Sequence, residues 1–183
     1  MAEISSADVV KLRKMSGQGM MDCKIALAEV NGDMDKAMEV LRKKGLATLA
    51  KRAGRETTEG IVVSRKSPDG KQAVLASLCC ETDFVSRNDD FISAAEKLAD
   101  YALACNNDKG ADNLLNTAIN GKTYNNILTE LVSKTGEKIQ VGDYAKFRLS
   151  GPGLIGSYVH FNTKVGSMLL VRQAMTKPLI RQN

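Results

Sequence analysis

Apolar residues recur at three- and four-residue spacing through the first part of the chain, and the pattern changes to strand-like runs after Gly60. Ser5 and Ser6 precede Asp8, Val9, Leu12 and Met15, which predicts a first helix with a serine cap, although Asp stands where a capping box usually has Glu or Gln. Gly17 and Gly19 end that helix. Met20, Cys23, Ala26, Leu27 and Val30 form the inner stripe of a second, which stops at Asn31-Gly32. Asp33 caps a third, with Met34, Ala37, Met38 and Leu41 inward and Gly45 as its stop. Residues 1–54 therefore read as a three-helix amino-terminal domain with a basic linker helix, a size suited to docking rather than catalysis.

Beyond it, Ile61-Val62-Val63 and Val74 to Leu78 flank Ser67-Pro68-Asp69-Gly70, the signature of a hairpin. The second strand runs into Glu81-Thr82-Asp83-Phe84-Val85, and Asp89 or Asp90 caps a helix carrying Phe91, Ala94, Leu98 and Ala102. Residues 106–123 read as loop with one short helix. Tyr124 to Thr135 reads as a helix with Ile127, Leu128 and Leu131 inward and Gly136 as its stop. A second β pass follows: a strand from Tyr144 to Leu149, a break at Gly151-Pro152-Gly153, then Leu154 to Phe161 and Val165 to Val171 paired across Asn162-Thr163. GIVVSRKSPDGKQAVLASL and LIGSYVHFNTKVGSMLLVR share a strand, a polar turn and an apolar strand, which suggests duplication of a strand-pair unit. The predicted class is α+β, with two related antiparallel strand-pair/helix units at 55–140 and 141–183. The second unit is incomplete, since only Gln173 to Asn183, with Pro178 inside, follow its strands. Either Met168 and Leu170 or Leu169 and Val171 must then occupy an uncovered face, which predicts a partner, an oligomer such as a homodimer, or poor solubility.

Composition removes several function classes. Hydrophobic residues make up 43%, too many for general disorder, and 26 Lys and Arg against 21 Asp and Glu give a net charge of +5. No apolar run approaches the ~20 residues of a membrane span, and the acidic start MAEISSADVV lacks the basic opening of a signal peptide. Among the four cysteines there is no CxxC spacing, and adjacent Cys79 and Cys80 face opposite sides of a strand. A zinc site and a disulfide framework are thus disfavoured, and a reducing cytoplasm is the expected location. His160 is the single histidine, so a multi-histidine metal site is excluded, and no metal or cofactor is expected. Nothing orients His160 against a cysteine, so Cys79 and Cys80 read as packed strand residues and no enzyme is expected. With no Trp and 4% aromatics, a stacking platform for single strands is poorly supplied. The run Arg42-Lys43-Lys44, Lys51-Arg52 and Arg55 reads either as a phosphate-binding patch, which would make a ribosome- or RNA-associated module, or as a solvated linker helix.

Two segments together resemble the bacterial elongation factor Ts family: LRKMSGQGMMDCKIALAEVNGDMDKAMEVLRKKG at 12–45 and CCETDFVSRNDDF at 79–91. A third, GLIGSYVHFNTKVGSMLLV at 153–171, is similar to the start of that family's second core repeat, with Phe161-Asn162-Thr163 replacing the usual glycine-rich turn. The resemblance covers roughly residues 3–172. From about Arg172 the sequence departs from the family's pattern, which predicts a truncated, frameshifted or diverged form with reduced activity.

The resemblance implies a ubiquitin-associated-like head and a core that promotes nucleotide exchange on the GTPase elongation factor Tu, in its GDP-bound or nucleotide-free form. It implies no direct binding of nucleotide and no engagement of a membrane or a specific nucleic acid. It further implies that Asp83 and Phe84, flanked by Thr82 and Val85, intrude near the GTPase's magnesium site. Leu12, Arg13, Met20 and Met21 match head positions that touch the GTPase domain, and His160 matches a second-repeat position facing its far domain. Without the resemblance, Phe84 reads as a core plug, Asp83 as a turn or cap residue, and His160 as a satisfied structural histidine. Met20 and Met21 cannot both face one small core. Either one is free for a partner or both are half-buried.

Overall fold

The structure is a computed structural model that describes residues 4–172. Its elements are α1 Ser6–Ser16, α2 Met20–Glu29, α3 Met34–Lys51, β1 Glu59–Lys66, β2 Gln72–Cys80, α4 Asp83–Ser86, α5 Asp89–Ala104, α6 Ala111–Asn116, β3 Ala118–Ile119, β4 Lys122–Thr123, α7 Tyr124–Thr135, β5 Ile139–Arg148, β6 Gly153–Val159 and β7 Gly166–Arg172. The class is α+β.

In the head, the Ser5 hydroxyl oxygen accepts from the Asp8 N–H at 3.1 Å while its proton goes to the Asp8 carboxylate at 2.6 Å. Asp8 thus closes a shortened version of the capping box. Gly17, at φ 67°, ends α1 in the left-handed conformation. Val9, Leu12, Cys23, Ala26, Leu27, Ala37 and Leu41 make a small separate core. The expected inner stripes are narrower than the sequence implied: Met15 and Met20 lie outside that core, 54% and 41% exposed. Three short helices meeting at one point have room for about one apolar row each.

Gly45 does not stop α3, which continues to Lys51. The glycine sits where α3 crosses α7 of the core. A Cβ there would lie 2.7 Å from the Thr129 carbonyl oxygen and 2.9 Å from the Ser133 Cβ. One turn earlier the Ser133 hydroxyl donates to the Leu41 carbonyl at 3.2 Å. The missing side chain buys close helix approach here instead of a left-handed cap.

The core sheet is antiparallel in the order β1-β2-β5, with Ile61 opposite Leu78 and Leu78 opposite Val141. Val74, Ala76, Leu78 and Cys80 alternate onto the helical side, where they join Phe91, Ala94 and Leu98 of α5 and Leu128, Leu131 and Val132 of α7. Leu75, Ser77 and Cys79 fall between them, only partly covered. Strand β5 begins at Ile139 rather than Tyr144 and pairs with β2, so the expected division at 140/141 cuts through a strand of the first sheet. Its pairing partners lie 59 to 76 residues upstream, from Cys80 opposite Ile139 to Gln72 opposite Arg148, a pairing that local pattern does not encode.

Strands β6 and β7 form a separate hairpin whose turn returns to the sheet edge. The Val62 N–H donates to the Thr163 carbonyl at 2.7 Å. The Lys164 ammonium reaches the Glu59 carboxylate and the Gly60 carbonyl. Leu154, Tyr158, Leu169 and Val171 share one exposed face of the hairpin, while Ile155 is buried on the other. Of the two alternatives read from the sequence, the open face is therefore that of Leu169 and Val171. The Gln173–Asn183 stub lies outside the described residues. Among the described residues no helix is long and apolar enough to cross a membrane.

The Gly45 crossing gives a stability prediction. Gly45→Ala gains helix propensity of up to ~1 kcal/mol but forces α3 off α7, and Gly45→Val adds a branched clash; net losses of about 1 and about 3 kcal/mol are expected in urea unfolding. Gly45→Val unfolding at the parent midpoint would contradict the close crossing.

Candidate functional site

Strand β2 ends at buried Cys80, and the chain turns through Glu81 and Thr82 into the single turn of α4. Thr82 is extended, at φ −128° and ψ 157°, and occupies the cap position of that turn. It is gripped from the side by Glu137, in the connection between α7 and β5. The Thr82 hydroxyl donates to one Glu137 oxygen at 2.6 Å, and the Thr82 N–H donates to the other at 3.1 Å. Within α4 the Ser86 hydroxyl donates to the Asp83 carbonyl at 3.0 Å. Val85 packs against the main core and Ser86 is buried. Successive helical side chains are about 100° apart, so with Val85 and Ser86 inward the preceding pair must point away. Phe84 is 84% exposed. The core-plug reading of Phe84 and the cap reading of Asp83 are both overturned, since Val85 enters the core and Thr82 supplies the cap. The Asp83 carboxylate meets the Arg87 guanidinium at 3.1 Å on the surface. An exposed pair of this kind is worth at most ~1 kcal/mol, so Asp83 is released at little cost.

Glu81, whose side chain is 11% exposed, ties the tip to the linker from the head. One oxygen accepts from Arg52 at 2.8 Å and from the Lys138 N–H at 2.6 Å, and the other accepts from Arg55 at 3.0 Å. The Lys138 ammonium donates to the carbonyls of Ala53 and Arg55, each at 2.8 Å. The Lys138 N–H, then the two arginines, hold the Glu81 carboxyl down at about 2 against burial acting the other way. Arg52 and Arg55 are therefore engaged within the chain, and Lys44 pairs with Asp22. This runs against the phosphate-patch reading of the basic run.

Phe84, Asp83, Glu81, Glu59 and Gly60 line a cleft of about 740 Å³ with Lys164 of the β6–β7 turn. His160 opens that turn. Its Nδ1 lies 2.7 Å from the Tyr158 hydroxyl, and its ring centroid is 4.3 Å from that of Phe161, which is 89% exposed. Burial pushes the Cys80 thiol up to about 12, with the Glu137 carboxylate adding to the effect, and burial also raises Cys79. Neither is activated as a nucleophile. Among the described residues no group of three or more Cys, His, Asp or Glu could hold a metal ion.

In the head, Arg13 and Met21 are exposed, Met21 at 66%, and Met20 is 41% exposed. Leu12 is fully buried in the head core and offers nothing to a partner. The i, i+3 spacing from Val9 places Leu12 on the inner row, with Arg13 beside it on the exposed side. Sequence reasoning missed Glu137 and Lys138. They stand more than fifty residues from the tip, in a polar connection with no local signal.

The family described as Elongation factor TS matches residues 81–182. The curated Elongation factor Ts of Clostridium perfringens strain 13 is 41% identical over 180 residues, covering 98% of this chain and 59% of the relative. That of Prosthecochloris aestuarii is 44% identical over 183 residues, covering 97% and 62%, and that of Christiangramia forsetii is 44% identical over 165 residues, covering 90% and 58%. The chain thus spans about three fifths of the length of these relatives. The family match extends to residue 182, so the departure expected from Arg172 onward is corrected.

The Glu81 carboxylate makes stability depend on acid. Its pKa falls from an ordinary 4.5 to about 2 on folding, so its contribution is complete above about 4.5 and disappears as pH drops through about 2. Urea midpoints of the parent and Glu81→Gln chains should differ near neutral pH and converge across that acidic window. Equal midpoints at neutral pH would show that the clamp contributes nothing.

Proposed function

The chain belongs to the elongation factor Ts family, and from that premise we propose that it is a cytoplasmic guanine nucleotide exchange factor of translation that binds elongation factor Tu and promotes release of GDP. The observation that carries this reading is the exposure of Phe84 between Thr82, held by Glu137, and Val85, packed on the core. A large aromatic held in water by a capped, packed turn is an anchor awaiting a pocket, since burying it elsewhere is worth about 1.5–3 kcal/mol. Phe84 wedges between packed elements of the GTPase beside the magnesium site. Asp83, leaving Arg87, disturbs the waters and side chains around the ion. Mg²⁺ bridges nucleotide phosphates and protein, so a displaced shell loosens the phosphate grip. Thr82 and Val85 hold the wedge at its base.

No covalent step is required. Exchange is a reciprocal coupling in which the partner that weakens GDP binding is itself weakened by GDP to the same degree, and a few kcal/mol changes affinity on the order of a hundredfold. Arg13, Met20 and Met21 supply a second contact on the GTPase domain, and flexible methionines suit such a surface. The β6–β7 turn carrying His160 supplies a third, toward the far domain.

Release of a fluorescent GDP from elongation factor Tu tests this reading. The chain should accelerate release, and Phe84→Ala should reduce that acceleration on the order of tenfold or more, with Asp83→Ala close behind, because truncating a central aromatic anchor costs about 2 kcal/mol. Both side chains are exposed, so the variants should keep the parent's unfolding midpoint. A parent chain that leaves the release rate unchanged would refute the function.

A further inference from the structure

Two adjacent-residue pairs, Glu81-Thr82 and Glu137-Lys138, are joined reciprocally. The Thr82 N–H donates to the Glu137 carboxylate at 3.1 Å, and the Lys138 N–H donates to the Glu81 carboxylate at 2.6 Å. We infer that this double clasp is a positioning device: Glu137 sets the orientation of the Asp83–Phe84 tip, while Glu81, through Arg52 and Arg55, fixes the head against the tip so that both surfaces meet the partner as one rigid unit. The inference rests on the exchange reading above and goes beyond it by assigning positioning roles to Glu81, Glu137, Lys138, Arg52 and Arg55, none of which that reading uses.

The two halves of the clasp do different things. The Glu137 carboxylate holds the tip side, through the Thr82 hydroxyl at 2.6 Å and the Thr82 amide at 3.1 Å, while its own N–H donates to the Thr135 hydroxyl at the end of α7. Glu81 contacts the linker side, and Lys138 completes it by donating to the Ala53 and Arg55 carbonyls. Charge-assisted hydrogen bonds of this geometry are stronger than neutral ones and directional, which suits them to fixing an angle. The Glu81 charge is balanced by Arg52 and Arg55, which it meets at 2.8 and 3.0 Å. Joining two contact surfaces rigidly raises the effective concentration of the second once the first has bound. Loosening the tip should therefore lower what the bound factor does, and loosening the linker should lower how readily it binds.

The test separates these effects. In the full chain, Glu137→Gln should speed amide hydrogen exchange at Thr82 roughly tenfold in the absence of any partner, since a charged acceptor is lost. In nucleotide release from elongation factor Tu, the same variant should lower the maximal acceleration roughly fivefold and leave the half-saturating concentration within about twofold. The double variant Arg52→Ala/Arg55→Ala should do the reverse, raising the half-saturating concentration roughly fivefold with the maximum nearly kept. Unchanged Thr82 protection in Glu137→Gln overturns the clasp directly. Parallel loss of both kinetic parameters in both variants, tracking a lowered unfolding midpoint, reduces the clasp to a structural role and overturns the inference. A parent chain with no exchange activity refutes the function, and this role with it, whereas intact Thr82 protection in that parent still shows the clasp formed.

Discussion

The junction between β2 and α5 is fixed by opposing demands. Cys80 is drawn into the sheet core, Val85 and Ser86 must be covered after only four intervening residues, and the single turn of α4 carries them there. Glu137 holds the Thr82 amide and hydroxyl at the entrance to that turn. No rotation of α4 can hide Phe84 without exposing Val85 or unpairing Thr82, and an unpaired, partly buried amide costs about 1–3 kcal/mol. Exposure of the aromatic follows from the packing around it.

The same junction organises the rest of the molecule. Glu81 brings the end of α3 and its linker to the tip, and Gly45 lets α3 lie directly on α7, whose carboxyl-terminal connection carries Glu137 and Lys138. Head, tip and core sheet thus share one frame built around α7. The β6–β7 turn joins it through Val62 and Lys164, which places Phe161 and His160 beyond the same cleft that Phe84 borders. Such an arrangement of exposed groups on one frame supports the proposed role of a factor that acts by distorting another protein instead of reacting with a substrate.

Local signals are legible where sequence neighbours determine structure. Helix α7 ends at Gly136, at φ 69°, as its position predicts, and α5 buries Phe91, Ala94, Leu98 and Ala102 on the expected stripe. Adjacent Cys79 and Cys80 face opposite sides, as strand geometry requires. Where distant segments decide, the pattern is silent. Gly45 carries the composition of a helix stop, yet its surroundings are set by α7, more than eighty residues on. Strand β5 completes a sheet begun far upstream, and Leu12 reads as a contact residue by motif while its spacing from Val9 turns it inward. For the candidate site, the Thr82–Val85 stretch stands out through its family motif alone, because the local pattern makes Phe84 a core residue. Glu137 is invisible without coordinates.

The central claim is that the ring at position 84 enters the metal-binding region of the GTPase. A photoreactive benzoylphenylalanine placed at position 84 and irradiated with GDP-bound elongation factor Tu tests it most directly. The account predicts cross-links confined to the segments lining the magnesium site, suppressed by excess GDP as reciprocal coupling requires. Cross-links to a remote surface, or none despite formation of the complex, would contradict it.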